Sequence, residues 1–342
     1  MRAFTCPRCG QLVPFEAVAC LACGTALGFA PDAGEIVAAD GRTSCANRGR
    51  AACNWLLAPG EGAALCVSCR LTRTRPHDAD LASESPTAEA FRAAEAAKRR
   101  LVFQFLELGL PLVPHDGDHG LAFDLLSSAE EPVVTGHADG VVTIDLAEGD
   151  AAHREQMRRD LGEPYRTMLG HLRHESGHYF WTVLVEADRP TLDAFRSLFG
   201  DERSDYSASL RRHYQQGPPS AWVGGYVSAY ATAHPWEDWA ETFAHYLHIR
   251  DTIQTAAAFG MLVTGPRLDP EMMAAPSLDP EDRFEDILDH WLPLVYALNA
   301  VNRSMGRDDL YPFVLSPAVV AKLTFVHRVV HSVRGSRPLP VP

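Results

Sequence analysis

The sequence predicts an α+β fold: small cysteine-built modules at the N-terminus, then a mainly helical domain carrying a small antiparallel sheet. Three observations lead there. All eight cysteines fall between Cys6 and Cys69, and none follows. Apolar residues recur at helical spacing through residues 89–110, 163–185 and 226–248. Between the first two of these stretches, residues 132–146 (PVVTGHADGVVTIDL) alternate as two short β runs around Asp139-Gly140, a hairpin signal.

The cysteines define a region over residues 1–75. Cys6-x2-Cys9 and Cys20-x2-Cys23 form two knuckles, each placing two thiolates on one ion, and Gly10 and Gly24 follow to allow the tight backbone. That is the pattern of a structural zinc ribbon. A redox dithiol needs only one such pair, and no βαβ pattern surrounds either. Cys66-x2-Cys69 is a third knuckle, and Cys45-x7-Cys53 a looser fourth pair. A second four-thiolate zinc site is the economical reading, because segments this short need a metal to fold. Trp55, Leu56 and Leu57 then supply a small core beside that ion.

Residues 76–88 (PHDADLASESPTA) are polar and turn-rich, and read as a linker. Residues 89–110 follow as an amphipathic helix, on which Lys98-Arg99-Arg100 reads as a solvated face. His137, beside the hairpin turn, reads as a loop histidine. The hairpin itself offers an edge strand of the kind that pairs with an extended substrate. Residues 150–160 are charged and helical in pattern.

The helix over 163–185 (EPYRTMLGHLRHESGHYFWTVLV) organises the rest. Glu163 and Pro164 suit its first turn. Within it, His174-Glu175-Ser176-Gly177-His178 is an H-E-x-x-H. Positions i and i+4 share a helix face, so His174 and His178 can offer two imidazoles to one ion, and Glu175 can reach water bound there. Gly177 reads as a close-packing position. Between 190 and 217 the sequence is polar, and Arg203, Asp205 and His213 carry no assigned chemistry.

Two histidines leave a catalytic zinc one protein ligand short. Residues 226–248 (YVSAYATAHPWEDWAETFAHYLH) hold the candidates: Pro235 opens a helix on which Glu237 and Glu241 share a face in an aromatic setting. Two such carboxylates suggest one ligand and one acceptor for the N–H of a ligand histidine. His245 and His248, further along the same face, read as packing or as support behind the ligands. Residues 261–342 are helical, most clearly SPAVVAKLTFVHRVVHSVRG, and 336–342 form a disordered tail.

H-E-x-x-H followed by E-x-x-x-E resembles the gluzincin class of zinc metallopeptidases. The run SAYATAHPWEDWAETF is similar to the catalytic stretch of anthrax lethal factor. That resemblance implies Glu237 as the zinc ligand, Glu241 as the residue orienting a ligand histidine, and Tyr230 as a donor to the developing oxyanion. Over residues 1 to about 260 the chain resembles a bacterial family of zinc-binding metallopeptidases that begin with a zinc ribbon. CPRCG, CLACG, CNW, CVSCR, GEPYRTMLGHLRHESGHYFW and HPWEDWAETFAHYLH carry the likeness. It implies a zincin-like catalytic domain over 89–335, one catalytic and two structural zinc ions, and a peptide or protein substrate.

Composition narrows the partners. The 342 residues, 46% hydrophobic and 22% charged, are ordinary for a globular protein with more than one unit. No apolar run is long enough to span a bilayer and MRAFTCPRCG has no signal-peptide pattern, so a cytoplasmic protein without membrane association is expected. Residues 1–75 carry 8 Arg, no Lys and 5 acidic residues, a formal +3 within a chain of −13. Two zinc ions on eight thiolates would bring that segment to about −1, so charge does not argue for nucleic acid. The ribbons leave room for a protein partner. Two other readings stay open here: a non-catalytic ribbon adaptor for protein or nucleic acid, and a zinc hydrolase of non-peptide amides.

Overall fold

The computed structural model describes residues 2–81, 85–129, 131–149, 167–263 and 283–333. The α+β class holds. By its internal contacts the described part of the chain groups into two compact units: residues 2–106 with 111–149, and residues 107–110 with 167–263 and 283–333.

In the first unit, β1 (Phe4–Thr5) pairs with β2 (Leu12–Val13), and β3 (Leu27–Ala30) with β4 (Glu35–Ala38), both antiparallel. Gly10 N donates to Cys6 O at 2.9 Å and Gly24 N to Cys20 O at 2.8 Å, closing the two knuckle turns. Both glycines have φ above 70°, where a side chain would be strained. A short helix α1 (Val67–Arg70) holds the Cys66–Cys69 turn, and β5 (Thr72–Thr74) and the long helix α2 (Pro86–Leu108) follow. Trp55, Leu56 and Leu57 are buried, as expected. The rings of Phe4, Phe15 and Phe29 pack around Phe103 of α2 at centroid distances of 5.1–6.0 Å.

The solvated face expected at Lys98–Arg100 is overturned for its first two members. Lys98 and Arg99 are buried. Lys98 Nζ lies 2.8 Å from Glu95 Oε1 and also donates to Thr72 Oγ1. Arg99 Nη1 donates to Ala51 O at 3.1 Å and sits 3.7 Å from Glu95 Oε2. Buried charge persists only when it is paired and hydrogen-bonded; Glu95 on the same helix supplies the opposite charge, while Thr72 and Ala51 lie far away in sequence. Arg100 is the partly exposed one, paired with Glu16 at 2.6 Å.

Strands β6 (Ala122–Leu126), β7 (Gly136–Ala138) and β8 (Val141–Asp145) join β5 in a sheet of order β5-β6-β8-β7. The β7–β8 hairpin is antiparallel around Asp139 (φ 49°) and Gly140 (φ 82°), and β7 is an edge strand. The other two pairings are parallel, so this sheet is mixed where an antiparallel one was expected. Parallel neighbours need a crossover, and α2 provides it between β5 and β6. His137 Nε2 accepts from Gly140 N at 3.1 Å, a turn contact.

The second unit is helical: α3 (Met168–Trp181), α4 (Arg189–Phe199), α5 (Tyr206–Gln216), α6 (Pro235–Ala258), α7 (Phe284–Ser304) and α8 (Pro317–Ser332). Thr167 caps α3 by accepting from Gly170 N, Asp205 caps α5, and His234 caps α6 ahead of Pro235. The start expected at Glu163-Pro164, the helix expected at 150–160 and the tail 336–342 lie outside the described residues. No described helix is long and apolar enough to cross a membrane.

Helix α3 packs directly on α6. The rings of Phe180 and Phe243 stack at 5.6 Å, and Trp239 Nε1 donates to Gly177 O at 2.8 Å. A Cβ on Gly177 would meet Ala240 Cα at 3.1 Å and Phe243 Cδ1 at 3.3 Å. The glycine thus sets the approach of the two helices, the packing role expected of it. Gly177→Val is predicted to destabilise the protein by ~1–3 kcal/mol through overpacking, read as a shift in the denaturant midpoint. An unshifted midpoint would mean that the helices separate freely here.

Candidate metal centres

None of the eight cysteines is in a disulfide, and they gather in two clusters, Cys6, Cys9, Cys20 and Cys23, and Cys45, Cys53, Cys66 and Cys69. In the first, Cys6 Sγ lies 3.6 Å from Cys23 Sγ and Cys9 Sγ 3.6 Å from Cys20 Sγ. In the second, Cys53 Sγ lies 3.7 Å from Cys66 Sγ, and Cys66 N donates to Cys45 Sγ. A disulfide would hold its sulfurs at about 2.05 Å, whereas the edge of a tetrahedron with Zn–S of about 2.3 Å is about 3.8 Å. The sulfur spacing fits zinc.

The third cluster joins α3 and α6. His174, His178 and Glu237 each present a ligand atom within 4.8 Å of the others, and all three residues are buried. Glu237 Oε2 sits 3.0 Å from His174 Nε2 and 3.6 Å from His178 Nε2. Glu241, one turn on, does not join them. Its Oε1 instead lies 2.7 Å from His174 Nδ1, where it accepts the proton and turns Nε2 toward the cluster. The two carboxylates, which spacing alone does not tell apart, are thereby placed differently.

The electrostatics call for a cation. Burial pulls the His174 imidazole down, but Glu237 and Glu241 more than reverse this and hold it well above its ordinary value. Burial raises Glu237, and the two imidazoles outweigh it, leaving the carboxylate well below its usual range. A divalent ion meets the same demand, and two imidazoles with one carboxylate are a donor set that suits zinc.

Glu175 is buried beside them. Burial raises its carboxyl, but a hydrogen bond from His171 Nε2 (3.1 Å) and the neighbouring imidazoles lower it to about 2. It is therefore ionised at neutral pH. The Tyr230 ring lies 5.9 Å from that of His174. Burial, and then the Glu237 charge, push its phenol far above the ordinary value, so it stays a proton donor. Beneath the cluster, Lys322 Nζ donates to Asp238 Oδ2 at 2.6 Å and to Gly225 O at 2.7 Å, tying α8 to the first turn of α6.

Two residues of this site escaped sequence reasoning. His171 stands four residues before Glu175 on the same face, a signal available but unread. Tyr206 donates to Glu237 Oε1 at 2.6 Å across 31 residues, from the polar segment given no chemistry, and no local pattern announces it. The other named polar residues there do structural work: Arg203 pairs with Asp201, Asp205 caps α5, and His213 bonds Thr232. His245 and His248 are packed against Tyr311, as expected.

A cysteine-metal module and a helical unit with a buried two-histidine, one-carboxylate cluster define a zinc-binding protein of the metallopeptidase type. The family comparison agrees: residues 87–329 match the family described as "Putative zinc-binding metallo-peptidase", and residues 3–80 match a zinc-ribbon domain. The chain belongs to that metallopeptidase family. It is similar to uncharacterized proteins of Mycobacterium tuberculosis and Mycobacterium bovis, each 53% identical over 338 residues, covering 97% of this chain and 96% of the relative. No solved structure matches the chain.

Proposed function

We propose that the protein is a zinc-dependent peptidase that hydrolyses peptide bonds in a peptide or protein substrate. The convergence of His174 Nε2, His178 Nε2 and Glu237 Oε2, with the far nitrogen of His174 held by Glu241, carries this reading. His174, His178 and Glu237 would hold the catalytic zinc, and the two cysteine clusters two structural ones. When bound, the catalytic ion supplies a Lewis acid that acidifies water toward a pKa of about 7 and polarises a carbonyl.

The chain's own residues do the rest. Glu175, ionised and fixed by His171, takes the proton from the attacking water and passes it to the leaving amine. Tyr230, held protonated, donates to the oxygen of the carbonyl as charge develops on it. Glu241 keeps His174 in the tautomer that presents Nε2. A cytoplasmic setting is part of this proposal, and the ribbons can recruit a protein partner.

Elemental analysis of the purified chain tests the metal assignment. Three zincs per wild-type chain are expected to fall to two in His174→Ala, with hydrolysis of a quenched-fluorescent peptide library lost alongside. Unchanged zinc in the variant would remove the histidine site and leave a ribbon protein.

A further inference from the structure

The two oxygens of Glu237 are not equivalent. Oε2 faces both imidazoles, while Oε1 turns away and accepts a 2.6 Å hydrogen bond from Tyr206 Oη. The phenol is itself well anchored. Tyr206 is the first residue of α5, directly after the Asp205 cap. Its ring meets His234 edge-on at 5.2 Å and Trp236 at 6.1 Å, the residues that launch α6. His234 is in turn fixed by Ser204, whose Oγ lies 2.9 Å from its Nε2. The turn before α5 and the turn before α6 therefore lock each other, and Tyr206 Oη reaches Glu237 from that joint.

We propose that Tyr206 is a positioning residue for the metal, holding the outer oxygen of Glu237 so that the carboxylate offers one oxygen to the ion. This rests on the zinc-peptidase reading above. A carboxylate can bind a cation through one oxygen or through both, and the choice decides how much of the coordination sphere is left. A catalytic zinc needs three protein ligand atoms and one open position for water and substrate. Rotation of Glu237 about its last side-chain bond would bring Oε1 onto the ion and fill that position. A phenol donating to a charged oxygen at this distance makes a strong, directional bond that opposes the rotation. The two tyrosines near the cluster thus divide the work: Tyr206 acts on the ligand, Tyr230 on the substrate.

Tyr206→Phe removes the hydroxyl and keeps the ring against His234 and Trp236. The full-length chain is stripped of metal at the histidine site, leaving the cysteine sites zinc-filled. It is then titrated with zinc against a chromophoric chelator, and separately reloaded with cobalt(II) for its visible spectrum. Loss of a partner that orients a ligand is expected to weaken zinc binding at this site by ~10–100-fold in Tyr206→Phe. The cobalt absorption is also expected to weaken, as it does when four-coordinate cobalt(II) becomes five-coordinate. Tyr230→Phe should change neither measurement, though it lowers turnover. An affinity within about twofold of wild type together with an unchanged cobalt spectrum would overturn the proposal while leaving the zinc-peptidase reading intact. A wild-type chain that takes no metal at the histidines would overturn both.

Discussion

Glu175→Gln is expected to lower peptide hydrolysis by ~10²–10⁴-fold while leaving the zinc content unchanged. Glutamine keeps the shape of the side chain but cannot take a proton from water. The site is built to keep Glu175 charged: it is buried, bonded to His171 at 3.1 Å and flanked by imidazoles that hold its carboxyl at about 2. It also lies outside the converging set of His174, His178 and Glu237, so the metal should not register the change. Elemental analysis and single-substrate kinetics on the same preparation check both halves. A variant with full zinc and wild-type turnover would remove Glu175 as the base. One that loses zinc would instead make it part of the metal's support.

The second large effect concerns stability. Cys53→Ser is expected to cost one zinc and to unfold the first unit. A structural zinc contributes an apparent ~10–16 kcal/mol of folding free energy at neutral pH, and a whole domain is held by only ~5–15 kcal/mol. All four cysteines of the second cluster are buried, and Cys53 sits two residues from Trp55 at the centre of the aromatic core. Trp55 lies 4.8 Å from Phe29 and 6.3 Å from Phe15, so loss of the ion should release a packed indole. Tryptophan fluorescence and near-ultraviolet circular dichroism would follow this. Loss of the zinc with unchanged spectra would show that the core stands without it.

What was legible in the sequence follows from how local each signal is. The knuckle glycines, the Asp139-Gly140 turn, Pro235 at the head of α6 and the i, i+4 histidines all depend on neighbours within five residues, and each appears where expected. Glu237 and Glu241 were recognisable as a pair; their different placements depend on the angle between α3 and α6, which spacing does not encode, and only the family resemblance assigned them separate roles. The crossover that makes the sheet mixed was hidden because β5 is three residues long and follows a cysteine knuckle. Tyr206 was invisible for the same reason in stronger form: its partner lies on another helix.

Lys98 and Arg99 have one local partner, Glu95 a turn earlier, but their other partners lie far off in sequence, and their burial bears on how the molecule can be taken apart. Polar residues 76–88 invite cleavage into a ribbon half and a peptidase half. Besides Glu95 on their own helix, these two charges bond the ribbon's carbonyl at Ala51 and the hydroxyl of Thr72, and Phe103 from the same helix closes the ribbon's aromatic cluster. A fragment beginning at residue 86 would keep Glu95 but would carry two desolvated cations without their Thr72 and Ala51 acceptors, and a phenylalanine without its pocket. Dissection at the linker would therefore yield two damaged pieces in place of two modules, and a functional comparison between them would report misfolding.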